Sequence, residues 1–258
     1  MKTKIIAIAN QKGGVGKTTT SISLTSALCA LQKKVLLIDF DPQGNASRGM
    51  GVDIGSLAFG TKDVLIQHKQ WQDVIQKTAL PFGFISPSNM SLSTLENDIQ
   101  DIGKMSSLKV LKQSLDTLIT KYDYILIDCP PSVGFLSLNA LVAANTVIIP
   151  VQCEYFAMDA VAQILSNINR IKEKENPGLR IEGFLLTMYD VRTRLGTEIA
   201  SEVRGLFKEN TFTTTIPRNI SLSEATAKGA PIHLYRPTSA GALAYLSLAK
   251  ELIEHEKN

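Results

Sequence analysis

Short apolar segments alternate with amphipathic segments along the whole chain. The apolar segments lack the strict polar alternation of a half-exposed strand, which is typical of strands buried on both faces of a parallel sheet. The segments predicted to be strands are Ile5–Asn10, Val35–Asp39, Phe82–Ser86, Tyr124–Asp128, Thr146–Val151, Glu182–Met188 and Phe212–Ile216. The segments predicted to be helices lie near Lys17–Leu31, Asp63–Lys77, Leu108–Lys121, Phe135–Ala144, Ala157–Lys174, Thr197–Lys208 and Ser239–Glu254. This order predicts an α/β fold, a doubly wound and mostly parallel sheet with helices on both faces.

The organisation of the chain indicates one domain over residues 1–258. A chain of 258 residues with 44% hydrophobic positions is long enough to bury one large core. It contains no internal repeat, no low-complexity tract and no linker rich in proline or serine. The glycine-rich segment Ser47–Gly60 is predicted to be a surface loop.

Cysteine content and charge exclude some functional classes and leave others open. The three cysteines, Cys29, Cys129 and Cys153, form no CxxC pair, which argues against a disulfide framework, a zinc ribbon and a cluster-binding site. A reducing cytoplasm is therefore expected. The net charge of +3 is too small to predict a nucleic-acid partner from composition alone.

Two segments have a superficial resemblance to targeting or membrane sequences. The first apolar run stops at Ala9, which is too short for the core of a signal peptide. The stretch Cys129–Cys153 carries no charge, but Pro130, Pro131 and Pro150 divide it into a turn, a short helix and a strand. We therefore predict a buried core segment and no membrane partner.

A glycine-rich motif follows the first predicted strand and opens the first predicted helix. Its residues are Lys12, Gly13, Gly14, Val15, Gly16, Lys17, Thr18 and Thr19. The glycines allow the backbone N–H groups to surround phosphate, Lys17 supplies charge to the β- and γ-phosphates, and Thr18 offers a hydroxyl to Mg²⁺. The usual P-loop pattern, GxxxxGK[ST], has glycine where this chain has Gln11, and Lys12 places a second lysine inside the loop.

Aspartates end two of the predicted buried strands. Asp39 and Asp41 stand at and just beyond the end of one strand, and Asp128 ends another in the Walker B position near Mg²⁺. Ligands of open α/β sheets bind at this edge. Each aspartate taken alone is equally typical of a helix cap or a turn, but together with the P-loop they predict a nucleotide site.

The three motifs resemble the signatures of deviant-Walker ATPases, specifically the ParA/Soj-type chromosome and plasmid partition proteins. They are Lys12–Thr19, Asp39–Asn45 and Asp128–Ser132, and the likeness continues through Pro150–Tyr155, Thr187–Asp190 and Ile216–Asn219. The resemblance covers essentially the whole chain and implies the deviant-Walker class of P-loop NTPase, with ATP and Mg²⁺ as cofactors.

The resemblance also implies roles for individual residues. Lys12 would cross an ATP-bound dimer interface to the partner's phosphates, where a cation supplied in trans acts like an arginine finger. Lys17 would hold phosphate in its own subunit, and Asp41 would position the attacking water. Asp39 and Asp128 would act around Mg²⁺ through water. Pro217 and Asn219 are the residues expected to contact adenine.

The family's second activity is binding to non-specific DNA by ATP-bound dimers. Arg192 matches one of the positions used, and Arg218 lies in the same basic region, whereas Ser221 stands where many relatives carry arginine. From Asp190 to Arg236 the chain has seven basic and five acidic residues, which is also compatible with an ordinary solvated surface. We therefore expect DNA binding that weakens steeply with salt.

The lead hypothesis is an ATP-driven switch in DNA segregation, which works with a ParB-type centromere-binding protein and is cytoplasmic and nucleoid-associated. The alternative is a MinD-like membrane-positioning ATPase, but the chain ends with three glutamates in its last segment, Lys250–Asn258, which an anionic membrane repels. A third interpretation is metabolic, either an ATP-dependent synthetase or the reductase partner of a nitrogenase-like enzyme. The reductase would need cysteine pairs that this sequence does not offer.

Overall fold

The structure is a computed structural model that describes residues 3–101, 108–132, 134–154 and 157–256. Its strands are β1 (Lys4–Ile8), β2 (Val35–Asp39), β3 (Gln76–Lys77), β4 (Gly83–Ser86), β5 (Tyr124–Asp128), β6 (Thr146–Gln152) and β7 (Arg180–Thr187). Its helices in the first half are α1 (Lys17–Ala30), α2 (Asn45–Gly49), α3 (Thr61–Leu65), α4 (Trp71–Val74), α5 (Leu95–Asp101) and α6 (Val110–Leu115). Those in the second half are α7 (Phe135–Ala143), α8 (Ala157–Lys174), α9 (Arg194–Phe207), α10 (Ile220–Ala227), α11 (Ile232–Tyr235) and α12 (Ala240–His255).

The strands form one seven-stranded sheet in the order β3-β4-β2-β5-β1-β6-β7. All neighbours are parallel except the edge pair β3 and β4. The prediction of a mostly parallel, doubly wound sheet is therefore confirmed.

Successive residues of the central strands enter two different hydrophobic cores. In β1, Ile5 and Ala7 face one core, and Ile6 and Ile8 face the other. The first core includes residues of α6 to α9, and the second includes residues of α1, α10, α11 and α12. Because both faces are covered, the strands read as continuous apolar runs. In the described ranges, no helix has both the length and the apolar character needed to cross a bilayer.

The prediction of one helix over Asp63–Lys77 is wrong. The chain forms the short helices α3 and α4 instead, because it reverses at Gln67, whose φ of 64° is left-handed. The backbone N–H groups of His68 and Lys69 both donate to the Asp63 carbonyl in this reversal. The last two residues of the predicted helix, Gln76 and Lys77, form β3, the antiparallel edge strand.

The predicted strand Phe212–Ile216 is also not a strand. The N–H groups of Phe212 and Ile216 donate to β7 carbonyls, but those of Thr213 and Thr214 donate to the Glu251 carboxylate at 2.6 and 3.0 Å. A side chain of α12 thus interrupts the ladder. The predicted loop Ser47–Gly60 begins inside α2, and the helices α10 and α11 were not predicted.

Candidate functional site

The turn between β1 and α1 depends on glycine and is fixed to the end of β7. Gly14 and Gly16 have φ values of +77° and +88°, and residues with a Cβ rarely adopt this backbone conformation. The Val15 carbonyl accepts a hydrogen bond of 2.9 Å from the Thr187 hydroxyl. Since α1 begins at Lys17, the N–H groups of Lys17, Thr18 and Thr19 precede the first helical hydrogen bond, which Thr20 makes to Gly16, and can bind an anion.

The remaining residues of the motif lie on this turn or in the first turn of α1. Gly13 is exposed, and Thr19 is half-buried. The Lys17 side chain is buried and bends back over the turn, where its ammonium donates to the Lys12 carbonyl at 3.0 Å. Burial lowers the pKa of Lys17, and nearby acidic groups, Asp128 first and Asp41 among them, oppose that shift.

Two hydroxyl groups of α1 converge on the carboxylate that ends β5. Thr18 donates to one Asp128 oxygen at 2.8 Å, and Ser21 donates to the other at 2.7 Å. Asp128 is fully buried. Sequence reasoning missed Ser21, although its position three residues after Thr18 puts both hydroxyls on one helix face.

The carboxylate of Asp39, which ends β2, is held by residues that follow it in the chain. One Asp39 oxygen accepts from the backbone N–H of Ser47 at 2.7 Å and from its hydroxyl at 2.6 Å, and the other accepts from the Asp41 N–H at 3.2 Å. Asp39 is paired in register with Asp128 on the neighbouring strand. These hydrogen bonds tie the end of β2 to the segment that carries Asp41 and Ser47.

Asp39 and Asp128 create a site that favours a cation. Burial raises the pKa of both carboxyl groups, and each also feels the negative charge of neighbouring aspartates. Carboxylate and hydroxyl oxygens are the ligand types that Mg²⁺ prefers, so Thr18 and Asp128 fit this metal. Asp39 has its oxygens engaged by Ser47 and Asp41 and would act on a cation through its charge.

Asp41 lies in the turn that follows β2. It is 7% exposed, and one of its oxygens accepts from the Gln43 N–H at 2.9 Å. The negative charge of Asp41 lies close enough to Lys17 to help raise the pKa of that lysine against the effect of burial. The predicted phosphate lysine and the predicted water-positioning carboxylate therefore lie at the same edge of the sheet.

The segment expected to contact adenine lies beside the carboxyl end of β7. Pro217 forms an isolated bridge with Tyr189, two residues after the end of that strand. Asn219 precedes the first residue of α10, and in the described structure its buried Oδ1 accepts no hydrogen bond. An unpaired buried acceptor fits the exocyclic amino group of adenine.

The predicted DNA-binding arginines are exposed, but both lie near carboxylates. Arg192 has an 85% exposed side chain, and its Nε and one terminal nitrogen donate to the two Asp190 oxygens at 2.9 and 2.7 Å. Arg218 has a 68% exposed side chain and lies 3.8 Å from Glu154. Ser221 is buried, and its hydroxyl accepts from Arg236 at 3.1 Å.

Lys12 is the most exposed of the predicted nucleotide lysines. Its ammonium lies 3.9 Å from the Glu154 carboxylate, and its side chain is 27% exposed. Glu154 falls within the predicted motif Pro150–Tyr155, but no role was predicted for it. Tyr155 lies outside the described residues.

The chain is similar in sequence to known proteins over most of its length. A family model described as an AAA domain matches residues 3–181. The sporulation initiation inhibitor protein Soj of Bacillus subtilis is 45% identical, with 96% of this chain and 98% of that protein covered. The chromosome partitioning protein ParA of Myxococcus xanthus is 41% identical, over 98% and 89% of the two chains.

A solved structure shares the whole fold. It is cobyrinic acid a,c-diamide synthase from Mycobacterium smegmatis with bound ATP analogue and magnesium, which is 34% identical with a TM-score of 0.88. The alignment covers 99% of this chain and 96% of that one. Similarity therefore extends over the sheet, the P-loop and the carboxylate edge together.

Proposed function

Because the chain belongs to the ParA/Soj family of partition ATPases, we propose that it is a nucleotide-driven switch in DNA segregation. ATP closes two copies into a dimer, the dimer binds DNA without sequence preference, and hydrolysis releases the DNA. The single observation that carries the proposal is the 45% identity to Soj over 96% of this chain.

The chain is an ATPase whose nucleotide is ATP and whose metal is Mg²⁺. We assign the β- and γ-phosphates to Lys17 and to the N–H groups of the turn that carries Gly14 and Gly16. Thr18 and Asp128 would hold Mg²⁺, which when bound neutralises phosphate charge during transfer. The hydrogen bonds from Thr18 and Ser21 fix the Asp128 carboxylate before the ligand arrives.

Hydrolysis needs a group that orients water toward the γ-phosphate. We assign that role to Asp41, which Asp39 and Ser47 hold in place through the turn after β2. Lys12 is partly exposed and can extend from the turn to a second subunit. A cation supplied in trans makes the reaction depend on dimerisation.

DNA binding is assigned to Arg192 and Arg218, which project from the same edge of the sheet. Dimerisation doubles the number of such cations on one assembly and so raises its avidity for DNA. A ParB-type centromere-binding protein would stimulate hydrolysis and so end DNA binding. The protein would then work in the cytoplasm, on the nucleoid.

A MinD-like membrane role fits less well with the last helix of the structure. The apolar residues of α12 pack into the core that contains α1, among them Tyr245, Leu248 and Leu252. As folded, this face of α12 is not free to lie on a membrane. A synthetase role has a specific observation in its favour, since the M. smegmatis protein is described as a diamide synthase.

Phosphate release distinguishes these functions. The protein is incubated with ATP and Mg²⁺, and then separately with DNA plus a ParB-type protein, with anionic vesicles, and with small carboxylic acids. We expect stimulation only by DNA with its partner. Dependence on a carboxylic acid would establish a synthetase, and strong ATP-dependent co-sedimentation with vesicles without DNA binding would establish the membrane function.

A further inference from the structure

Glu154 lies between two of the cations that the proposed function assigns to phosphate, Lys12 and Arg218. Its carboxylate is 3.9 Å from the Lys12 ammonium and 3.8 Å from the Arg218 guanidinium, through different oxygens. The Gln152 side-chain amide donates to the oxygen that faces Arg218, which orients the carboxylate. The Glu154 side chain is 48% exposed, so it can move away without unfolding the chain.

The same row of charges continues to the second proposed DNA contact. Arg218 is close enough to Asp190 to help lower the pKa of that carboxyl group, although the hydrogen bonds from Arg192 lower it most. Acidic and basic groups therefore alternate along this edge, from Lys12 through Glu154, Arg218 and Asp190 to Arg192. Each cation assigned to phosphate already has a carboxylate neighbour in the single chain.

We infer that Glu154 is a shared counter-ion that restrains Lys12 and Arg218 in the nucleotide-free protomer and must yield to phosphate at both. The inference rests on the proposed function, because that function supplies the phosphates. Phosphate groups compete well for these cations, since the terminal phosphate of ATP carries more charge than one carboxylate and the DNA backbone presents a row of closely spaced negative charges. Glu154 thus keeps the affinity of the protein for DNA low when ATP is absent. It also keeps the affinity of one protomer for another low when the ATP concentration is low.

The expected size of the effect follows from the exposure of the pairs. Exposed ion pairs near 4 Å are weak, so each restraint should change an affinity by about two- to fivefold. A restraint of this size lowers background binding and still allows ATP to overcome it.

The test compares Glu154→Gln with Glu175→Gln, a matched loss of one negative charge. Glu175 directly follows the last residue of α8, a helix of 18 residues, at the end remote from the nucleotide edge, and faces Lys109. Binding to a short labelled duplex of arbitrary sequence is measured without nucleotide at two salt concentrations. Glu154→Gln should bind about two- to fivefold tighter than wild type, and Glu175→Gln should match wild type.

The same substitution in a protein that lacks Arg218 tests whether the gain in DNA affinity comes from Arg218. In an Arg218→Ala protein, the additional Glu154→Gln substitution should give no gain in DNA affinity. A gain that persists there, or an equal gain in Glu175→Gln, would overturn the Arg218 half of the inference.

The Lys12 half is tested without DNA. Light scattering measures the ATP concentration that gives half-maximal dimerisation, which Glu154→Gln should lower by about two- to fivefold relative to Glu175→Gln. An unchanged or higher concentration would overturn this half, because Glu154 would then be neutral or would itself help to form the dimer. If the wild-type protein shows no ATP-dependent DNA binding, the proposed function is contradicted. The dimerisation measurement still tests whether Glu154 restrains Lys12.

Discussion

The hydroxyl of Thr18 donates a 2.8 Å hydrogen bond to the Asp128 carboxylate, and this contact joins the first turn of α1 to the end of β5. The two residues come from motifs more than a hundred positions apart, yet both belong to the predicted metal site. Asp128 is fully buried and is repelled by the charge of Asp39, so it is poorly suited to carry its own charge without a cation. A Mg²⁺ ion held at Asp128 would offset this unfavourable electrostatic energy.

This relationship predicts how the stability of the metal-free protein depends on pH. Burial and the charge of Asp39 raise the pKa of Asp128 to about 7, whereas an unfolded aspartate titrates near 3.9. The folded state therefore holds a proton that the unfolded state lacks, and its stability rises as pH falls through 7. Between pH 8 and pH 6 the contribution of Asp128 should be about 1 kcal/mol.

Unfolding in EDTA at the two pH values, for wild type, Asp128→Asn and Asp116→Asn, measures this contribution. Asp116 is an exposed aspartate outside the site and serves as the matched control. Asp128→Asn should lose part of the pH dependence, and saturating Mg²⁺ should reduce it in wild type. Equal pH dependence in all three proteins would refute the electrostatic account of this site.

Lys17→Ala should abolish ATP binding, with a loss in affinity of at least about 100-fold, because the residue supplies a buried positive charge to the phosphates. Calorimetric titration with ATP and Mg²⁺ measures the affinity. Lys172→Ala, which removes an exposed lysine of α8, should bind like wild type. Micromolar affinity retained in Lys17→Ala would contradict the assignment.

Lys12→Ala should separate nucleotide binding from assembly. Its ammonium is partly exposed. Since we propose that it acts in the partner subunit, the ATP affinity of the single chain should change little. ATP-dependent dimerisation, followed by light scattering, and turnover should both fall, the latter by about 10²-fold or more if the cation acts in the transition state. Normal dimerisation and turnover in this variant would show that Lys12 does not act in trans.

Features that depend on local sequence could be predicted. The P-loop, Asp39 and Asp128 each lie directly beside an apolar run that forms a buried strand, so their place at one sheet edge followed from the α/β pattern. The break at Gln67 was missed because no proline or glycine marks it, and the apolar pattern continues across it.

Features that depend on contacts between distant segments could not be predicted. Ser47 reaches Asp39 only because α2 folds back onto the end of β2. Glu251 interrupts a ladder only because α12 brings its carboxylate to Thr213 and Thr214, in the segment that runs beside β7. The position of Glu154 between Lys12 and Arg218 requires three loops to meet at one edge. No spacing in the sequence encodes these approaches.

The most direct test of the proposed switch is DNA binding by Asp41→Ala with ATP and with ADP, at two salt concentrations. This variant should bind ATP and dimerise but hydrolyse slowly, because the water-positioning carboxylate is absent. It should therefore remain on DNA with ATP, release DNA with ADP, and bind more weakly at the higher salt concentration. Equal DNA binding with the two nucleotides, or wild-type turnover, would contradict the account.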